Sequence, residues 1–171
     1  MFTPTPSALS SSAINEYAEK IGAHHDIYDT NGKADIESLF IKLGGVFRPK
    51  DETDYFVIEE PSKFSISLPS LISKRRQVFL IAQAIGFYFL HYRYPQISTY
   101  AKFGRGNTDY TVVVQANQFA SALLMPSHHF IPKFEAFSGK KDWDWSLSDN
   151  FFVSPKAARL RAHIVGMKEA V

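Results

Sequence analysis

The sequence contains no cysteine among its 171 residues. This absence excludes disulfide bonds, cysteine-ligated zinc and a thiol nucleophile, and it is compatible with a cytoplasmic protein. The formal net charge is only +2, which by itself is too small to indicate a nucleic-acid partner. No Gly-x-Ser-x-Gly motif is present, so the nucleophile elbow of a serine hydrolase is excluded as well.

Long hydrophobic runs are also lacking. The longest one extends from Val78 to Leu90 and is interrupted by Gln83 and Gly86. Because a bilayer span needs about 20 apolar residues, this run predicts a buried helix and no membrane anchor. Residues 1–12 are rich in Pro, Ser and Thr and do not show the basic and then apolar pattern of a signal peptide. They predict a flexible N-terminal lead.

The composition and the periodicity predict a globular protein of the α+β class. Hydrophobic residues make up 45% of the chain, enough for a real core. Apolar residues at helical spacing predict helices that begin near residues 13, 35, 73, 111, 128, 143 and 154. Alternation of apolar and polar residues predicts three short strands, at residues 46–48, 55–59 and 64–68. Helices, then strands, then helices is an α+β order.

Three separated motifs carry a family resemblance. Residues 82–91 read A-x-x-x-G-x-Y-x-L-H, residues 116–126 read ANQFASALLMP, and residues 151–161 read F-x-V-S-x-x-A-x-x-x-R. In this order and spacing they resemble the ImmA/IrrE family of zinc metallopeptidases. The active-site helix of that family ends A-H-E-L-G-H-Y-x-L-H, and its second motif reads A-N-x-F-A-x-x-L-L-M-P.

The resemblance implies a zincin-like α+β fold, with helices packed on a small sheet of about three strands. It implies a degenerate peptidase domain over residues 13–126, after the flexible lead of residues 1–12. Residues 127–171 are expected to form a C-terminal helical segment, similar to a helix-turn-helix, packed on that domain.

The chemistry of the family is missing from the matching positions. Two histidines at i and i+4 on one helix face can hold one zinc ion, and a glutamate next to the first acts as general base. Here Gln83 and Phe87 stand for the histidines and Ala84 stands for the glutamate. The family's later carboxylate is expected within residues 111–115, which contain no acid and end at Gln115. The sequence therefore predicts no catalytic residue, no metal ligand and no cofactor.

The packing positions of the family motifs are kept, whereas the zinc-binding and catalytic positions are replaced. This pattern predicts a pseudo-peptidase that acts by binding another protein. The resemblance implies a cytoplasmic regulator whose partner is a helix-turn-helix repressor or an antitoxin, in a mobile element, a prophage or a toxin–antitoxin-like system. The candidate partner surface consists of the groove at the positions that match the family's active site, together with the strand at residues 64–68. A peptide could pair with this strand as a further strand of the sheet. Its residues are Ile66, Gln83, Phe87, Tyr88 and His91.

Three alternatives stay open at this stage. A metal site could be rebuilt from His91, Asp109 and either His128 or His129. The C-terminal helices could contact nucleic acid, because the helix after Ser154 carries exposed basic positions; the candidate contacts are Lys156, Arg159 and Arg161, with Lys102 and Arg105. The chain could also be a structural or immunity-type protein with a vestigial groove.

Overall fold

A computed structural model describes residues 2–104, 106 and 108–168 of the chain. Within these residues the order of elements is α1 (Ser11–His24), α2 (Ile36–Lys42), β1 (Gly45–Phe47), β2 (Phe56–Glu60), β3 (Lys63–Ile66), α3 (Lys74–Tyr88), a π-helical turn (Phe89–Arg93), β4 (Ala101–Phe103), α4 (Tyr110–Leu124), α5 (Ser127–Phe137), α6 (Trp143–Phe151) and α7 (Pro155–Ile164). The predicted α+β class is confirmed. None of the helices in this part of the chain has the length and apolar character that crossing a membrane requires.

Side-chain caps set the start of most helices. A hydroxyl or carboxylate oxygen of the residue before the helix accepts a backbone N–H of the first turn, which leaves fewer donors without a partner. This holds for Ser10, Asp35, Ser73, Asp109 and Ser154. The observed starts lie within two residues of the predicted ones for these helices, because caps are local signals in the sequence.

The sheet has four strands in the order β1-β3-β2-β4. Strand β1 runs parallel to β3, while β2 is antiparallel to both β3 and β4. The sequence predicts about three strands and does not show β4, which lies between the predicted helices that begin near residues 73 and 111. A strand of three residues is too short to show alternation.

Strand β3 lies inside the sheet, which corrects the expectation that a peptide adds to it. Residues Phe64–Ile66 pair with β1 on one side and with β2 on the other, so their backbone groups are already used. In the described part of the chain the outer strands are β1 and β4. Strand β4 is the edge that adjoins α3, because Phe103 contacts Phe87 there.

Helices α3 and α4 form the centre of the core. Every residue of α3 from Leu80 to Tyr88 is buried. The two helices approach so closely at Gly86 that a Cβ atom there would lie 2.9 Å from the carbonyl oxygen of Ala116. The glycine of the first motif is thus required by helix packing and not by metal chemistry.

The N-terminal lead lies against α4. The backbone N–H of Ser7 donates to Gln115 Oε1 at 2.9 Å, and Gln115 Nε2 donates to the Ser7 carbonyl at 2.9 Å. Phe2 and Leu9 pack on the core. These contacts give an irregular segment fixed partners, which its composition did not indicate.

Candidate functional site

A cavity of about 340 Å³ lies where the family places its active site. Helices α3 and α4 form two of its walls and the segment after β4 forms another. Its lining residues are Tyr55, Arg76, Leu80, Gln83, Phe87, Gly104, Gly106, Thr108 and Val113. We call it the α3–α4 cavity. It contains the two positions, four residues apart on α3, where the resemblance expects histidine.

Gln83 is held by a neighbouring helix. Its Nε2 donates to Oδ1 of Asn117 at 2.6 Å, and the side chain is almost fully buried. Asn117 is the fixed asparagine of the second motif, so the interaction joins two motifs across the α3–α4 interface. A buried polar group that has lost contact with water needs a hydrogen-bond partner. The amide of Gln83 finds that partner on the neighbouring helix and so contributes to helix packing.

Phe87 closes the other side of the cavity with an apolar ring. The ring is 2% exposed and stacks on Phe103 of β4, with centroids 4.5 Å apart and planes 21° from parallel. Ala84 is fully buried and offers only a methyl group at the place of the general base. This part of the site thus has the chemistry of a hydrophobic core.

Val113 lines the same cavity from α4. Within residues 111–115 only Val113 lines the cavity, whereas Gln115 bonds to the N-terminal lead. The sequence assigned the lost carboxylate to Gln115, but the geometry gives that place to Val113. Side chains two positions apart on a helix point about 200° apart, so only one of them can face α3.

These residues do not fit a zinc ion. Zinc sites are built from histidine, cysteine and carboxylate ligands, and the α3–α4 cavity offers an amide already bonded to Asn117, an aromatic ring and aliphatic groups. Across residues 2–104, 106 and 108–168, no three or more His, Cys, Asp or Glu side chains form a group that could hold a metal ion. Asp109 instead caps α4 by accepting from the N–H groups of Thr111 and Val112.

The histidines of the rebuilt-site alternative have other neighbours. His128 and His129 lie on α5, where both rings contact Tyr28. His91 is buried in the π-helical turn, with Nδ1 3.2 Å from the carbonyl oxygen of Thr5. Burial lowers the pKa of His91 to about 4, opposed by the backbone groups of Thr5 and Val112. The imidazole is thus neutral at physiological pH.

Three of the five residues of the candidate partner surface lie away from the cavity. Ile66 is fully buried in the central strand. Tyr88 faces the sheet, where its ring lies 4.5 Å from that of Phe64 and its hydroxyl accepts the N–H of Ser62. His91 is buried against the N-terminal lead. Only Gln83 and Phe87 line the cavity, together with Arg76, Thr108 and Val113, which sequence reasoning did not select.

The basic residues of α7 do not form one face. Arg161 is 1% exposed; it donates to the carbonyl of Met125 and pairs with Glu19 at 2.9 Å. Arg159 pairs with Asp144, and Lys156 is exposed. The expectation that Arg161 contacts nucleic acid is therefore corrected, because its charge is used inside the fold. Of the other two candidate contacts, Lys102 has its Nζ 3.6 Å from Asp54 Oδ1, and Arg105 is outside the described residues.

Comparison with known proteins supports the motif reading. No curated protein sequence gives a significant match to the chain. The family model described as the IrrE N-terminal-like domain of the M78 peptidases matches residues 49–163, about two thirds of the chain. The match contains both α3 and α4 and extends past residue 126, the predicted end of the peptidase domain. The chain therefore belongs to the IrrE N-terminal-like family of M78 peptidases.

Proposed function

We propose that this protein is a catalytically inactive member of its family that acts as a protein-binding regulator. The observation that carries the proposal is the composition of the α3–α4 cavity. Gln83, Ala84, Phe87 and Val113 stand where zinc chemistry would need ligands and a base. The fold around them is intact, and two of the replacements make specific contacts with Asn117 and Phe103.

The proposed partner is a helix-turn-helix repressor or an antitoxin, encoded in the same mobile element, prophage or toxin–antitoxin-like system. This choice is supported by the family resemblance alone. The proposed setting is the cytoplasm, where such partners act on DNA. The regulatory effect would follow from sequestering or stabilising the partner without cleaving it.

The proposed contact surface is the α3–α4 cavity together with the adjoining edge of β4. An extended partner segment could pair with the outer side of β4 at Lys102, the one residue of this strand that is not fully buried, as peptides do on sheet edges. An apolar side chain of that segment would enter the cavity beside Leu80 and Phe87, where aromatic and aliphatic groups suit an anchor. Arg76 at the cavity wall offers hydrogen bonds to the partner, whereas the Thr108 hydroxyl already bonds to the backbone of Gly104.

The first experiment measures zinc in the protein purified without chelator and without a metal-binding tag, by elemental mass spectrometry. We expect no stoichiometric zinc, before or after incubation with the metal. The matched control is a rebuilt variant with Gln83→His, Ala84→Glu, Phe87→His and Val113→Glu. It should take up about one zinc per chain, since it restores the ligand set. About one zinc in the natural protein would overturn the proposal.

The second experiment uses calorimetry to measure binding to a helix-turn-helix protein, chosen from the genes that neighbour the gene for this chain. Val113→Arg places a charged side chain in the cavity and should weaken binding by about tenfold or more. Tyr110→Arg is the control, because Tyr110 lies on the same helix but is 81% exposed and lines no cavity described here. Equal affinities of the two variants would place the partner elsewhere, and cleavage of the partner would refute the loss of activity.

A further inference from the structure

A second and larger depression is bordered by α3, α4, α6 and α7. Its volume is about 810 Å³, and we call it the helical groove. It is lined by Ser11, Ser73, Arg75, Arg76, Phe79, Val114, Asn117, Gln118, Ser121, Trp145, Ser154, Pro155, Lys156, Ala157, Leu160 and Ile164. The zinc chemistry of the family does not use this surface, and the proposed contact at the α3–α4 cavity shares only Arg76 with it.

Several large apolar side chains that line the groove are open to solvent. Trp145 is 58% exposed and Leu160 is 55% exposed, and Val114 and Ile164 are exposed as well. Large exposed apolar side chains are common singly, but four around one depression indicate an interaction site. They come from three different helices, so the patch is a product of the tertiary fold.

The shape of the groove suits a helix. Its α4 wall consists of Val114, Asn117, Gln118 and Ser121, a stripe with helical spacing i, i+3, i+4 and i+7. Its α7 wall includes Lys156, Leu160 and Ile164, spaced by four residues. Each stripe extends over about two turns, or roughly 11 Å at 1.5 Å per residue.

The charges around the groove have one sign. Three lining residues are cationic and, among the described residues, none is acidic, although the whole chain has 17 Asp and Glu residues. Arg75 is neutralised by Asp149 at 2.6 Å. Arg76 on α3 and Lys156 on α7 are exposed, and within the described part of the chain neither makes an ion pair. They belong to two different helices that border the groove.

We infer that the helical groove binds an amphipathic α-helix of a protein partner, with an apolar stripe flanked by carboxylates on both sides. The apolar stripe would cover Trp145, Leu160 and Ile164. The flanking Asp or Glu residues would reach Arg76 and Lys156, where charge complementarity fixes the orientation of the helix. Binding at this groove requires neither the α3–α4 cavity nor the absence of peptidase activity.

The test is a selection from a displayed library of amphipathic helices in which the apolar stripe is fixed and the flanking positions are random. The selected clones should carry Asp or Glu at both flanks. Leu160→Glu should weaken their binding by about tenfold or more. Ile41→Glu is the matched control, since Ile41 is 59% exposed on α2, outside the groove, and should leave binding unchanged.

Charge reversal tests the second half of the inference. In the double variant Arg76→Glu and Lys156→Glu, acidic clones should bind about tenfold more weakly and lysine-flanked versions of the same clones should gain affinity. The double variant should remain folded, because both side chains are exposed. An unchanged circular dichroism spectrum would check this. Val113→Arg in the cavity should not affect these clones, which separates this outcome from that of the proposed function.

Several outcomes would overturn the inference. Failure of the library to enrich on the natural protein over the Leu160→Glu protein would show that no helix binds. Enrichment of neutral or basic flanks would refute the charge assignment. A dimer in sedimentation that dissociates with Leu160→Glu would assign the groove to a second copy of the chain. Salt-dependent binding of duplex DNA, lost with the charge reversal, would assign the two cations to phosphates.

Discussion

Phe87 of the central helix α3 and Phe103 of the edge strand β4 stack on each other with their ring centroids 4.5 Å apart. The contact joins the position that would hold a second zinc-binding histidine to the strand that borders the α3–α4 cavity. An apolar pair thus fixes the wall of the cavity where a metal ligand would be expected in an active relative. The stacking also helps to hold β4, which has only three residues to pair with β2.

Replacing Phe87 with alanine should destabilise the protein by about 3–5 kcal/mol, the usual cost of removing a buried aromatic ring. Tyr110→Ala, at an exposed position, should change the free energy of unfolding by less than about 0.5 kcal/mol. Urea denaturation of the two variants and the natural protein measures both values. A loss of under about 1 kcal/mol for Phe87→Ala would show that the ring is not part of the core.

Replacing Gln115 with alanine should release the N-terminal lead from α4. The variant loses both hydrogen bonds to the backbone of Ser7, at a cost of about 1–2 kcal/mol. Hydrogen exchange of the Ser7 amide should then become faster, while Gln118→Ala, which removes only a 3.4 Å contact to Ser11, should leave it unchanged. Fast exchange of Ser7 in the natural protein would instead support the flexible lead that the composition predicts.

His91 should make stability depend on pH between about 4 and 6.5. Burial lowers its pKa from 6.5 to about 4 in the folded protein, so the unfolded chain binds a proton first as the pH falls. Stability therefore rises with pH across this window. Below a pH of about 4, His91 lowers the free energy of unfolding by about 3 kcal/mol relative to its value at neutral pH.

The measurement for His91 is the free energy of unfolding at several pH values in the natural protein and in His91→Gln. The variant should show a smaller rise from pH 4 to 6.5, whatever its stability at neutral pH. Parallel curves for the two proteins would mean that the imidazole titrates near its ordinary pKa and that the site is open to water.

Two arginines on α7 should differ sharply in their effect on stability. Arg161→Met removes a buried charge that pairs with Glu19 and bonds to the carbonyl of Met125, and we expect a loss of about 3 kcal/mol or more. Arg159→Met breaks a pair with Asp144 in which Arg159 is half exposed, and the loss should be below about 1 kcal/mol. Thermal denaturation compares them directly, and equal effects would contradict the structural role of Arg161.

Much of the fold could be read from local signals. The helix starts at Ser10, Asp35, Ser73 and Ser154 follow from caps, which act over three residues of the chain. The three motifs identified the family, and the position of Gly86 reflects a packing rule that its motif preserves. That glutamine and phenylalanine stand at the family's two histidine positions, 83 and 87, was also visible, because a spacing of four residues on one helix fixes a common face.

Other features depended on the meeting of distant segments. Whether Val113 or Gln115 faces the cavity is set by how α4 turns against α3, and the place of β3 inside the sheet is set by its pairing with both β1 and β2. The burial of Arg161 depends on Glu19, which lies far away in the sequence, and the helical groove joins side chains of α3, α4, α6 and α7. The sequence by itself determined the family, the main elements and which residues stand at the family's zinc-binding positions, because these depend on short-range spacing and on residue type. Only the tertiary structure decided which surfaces remain free to bind a partner, because exposure and convergence result from long-range packing.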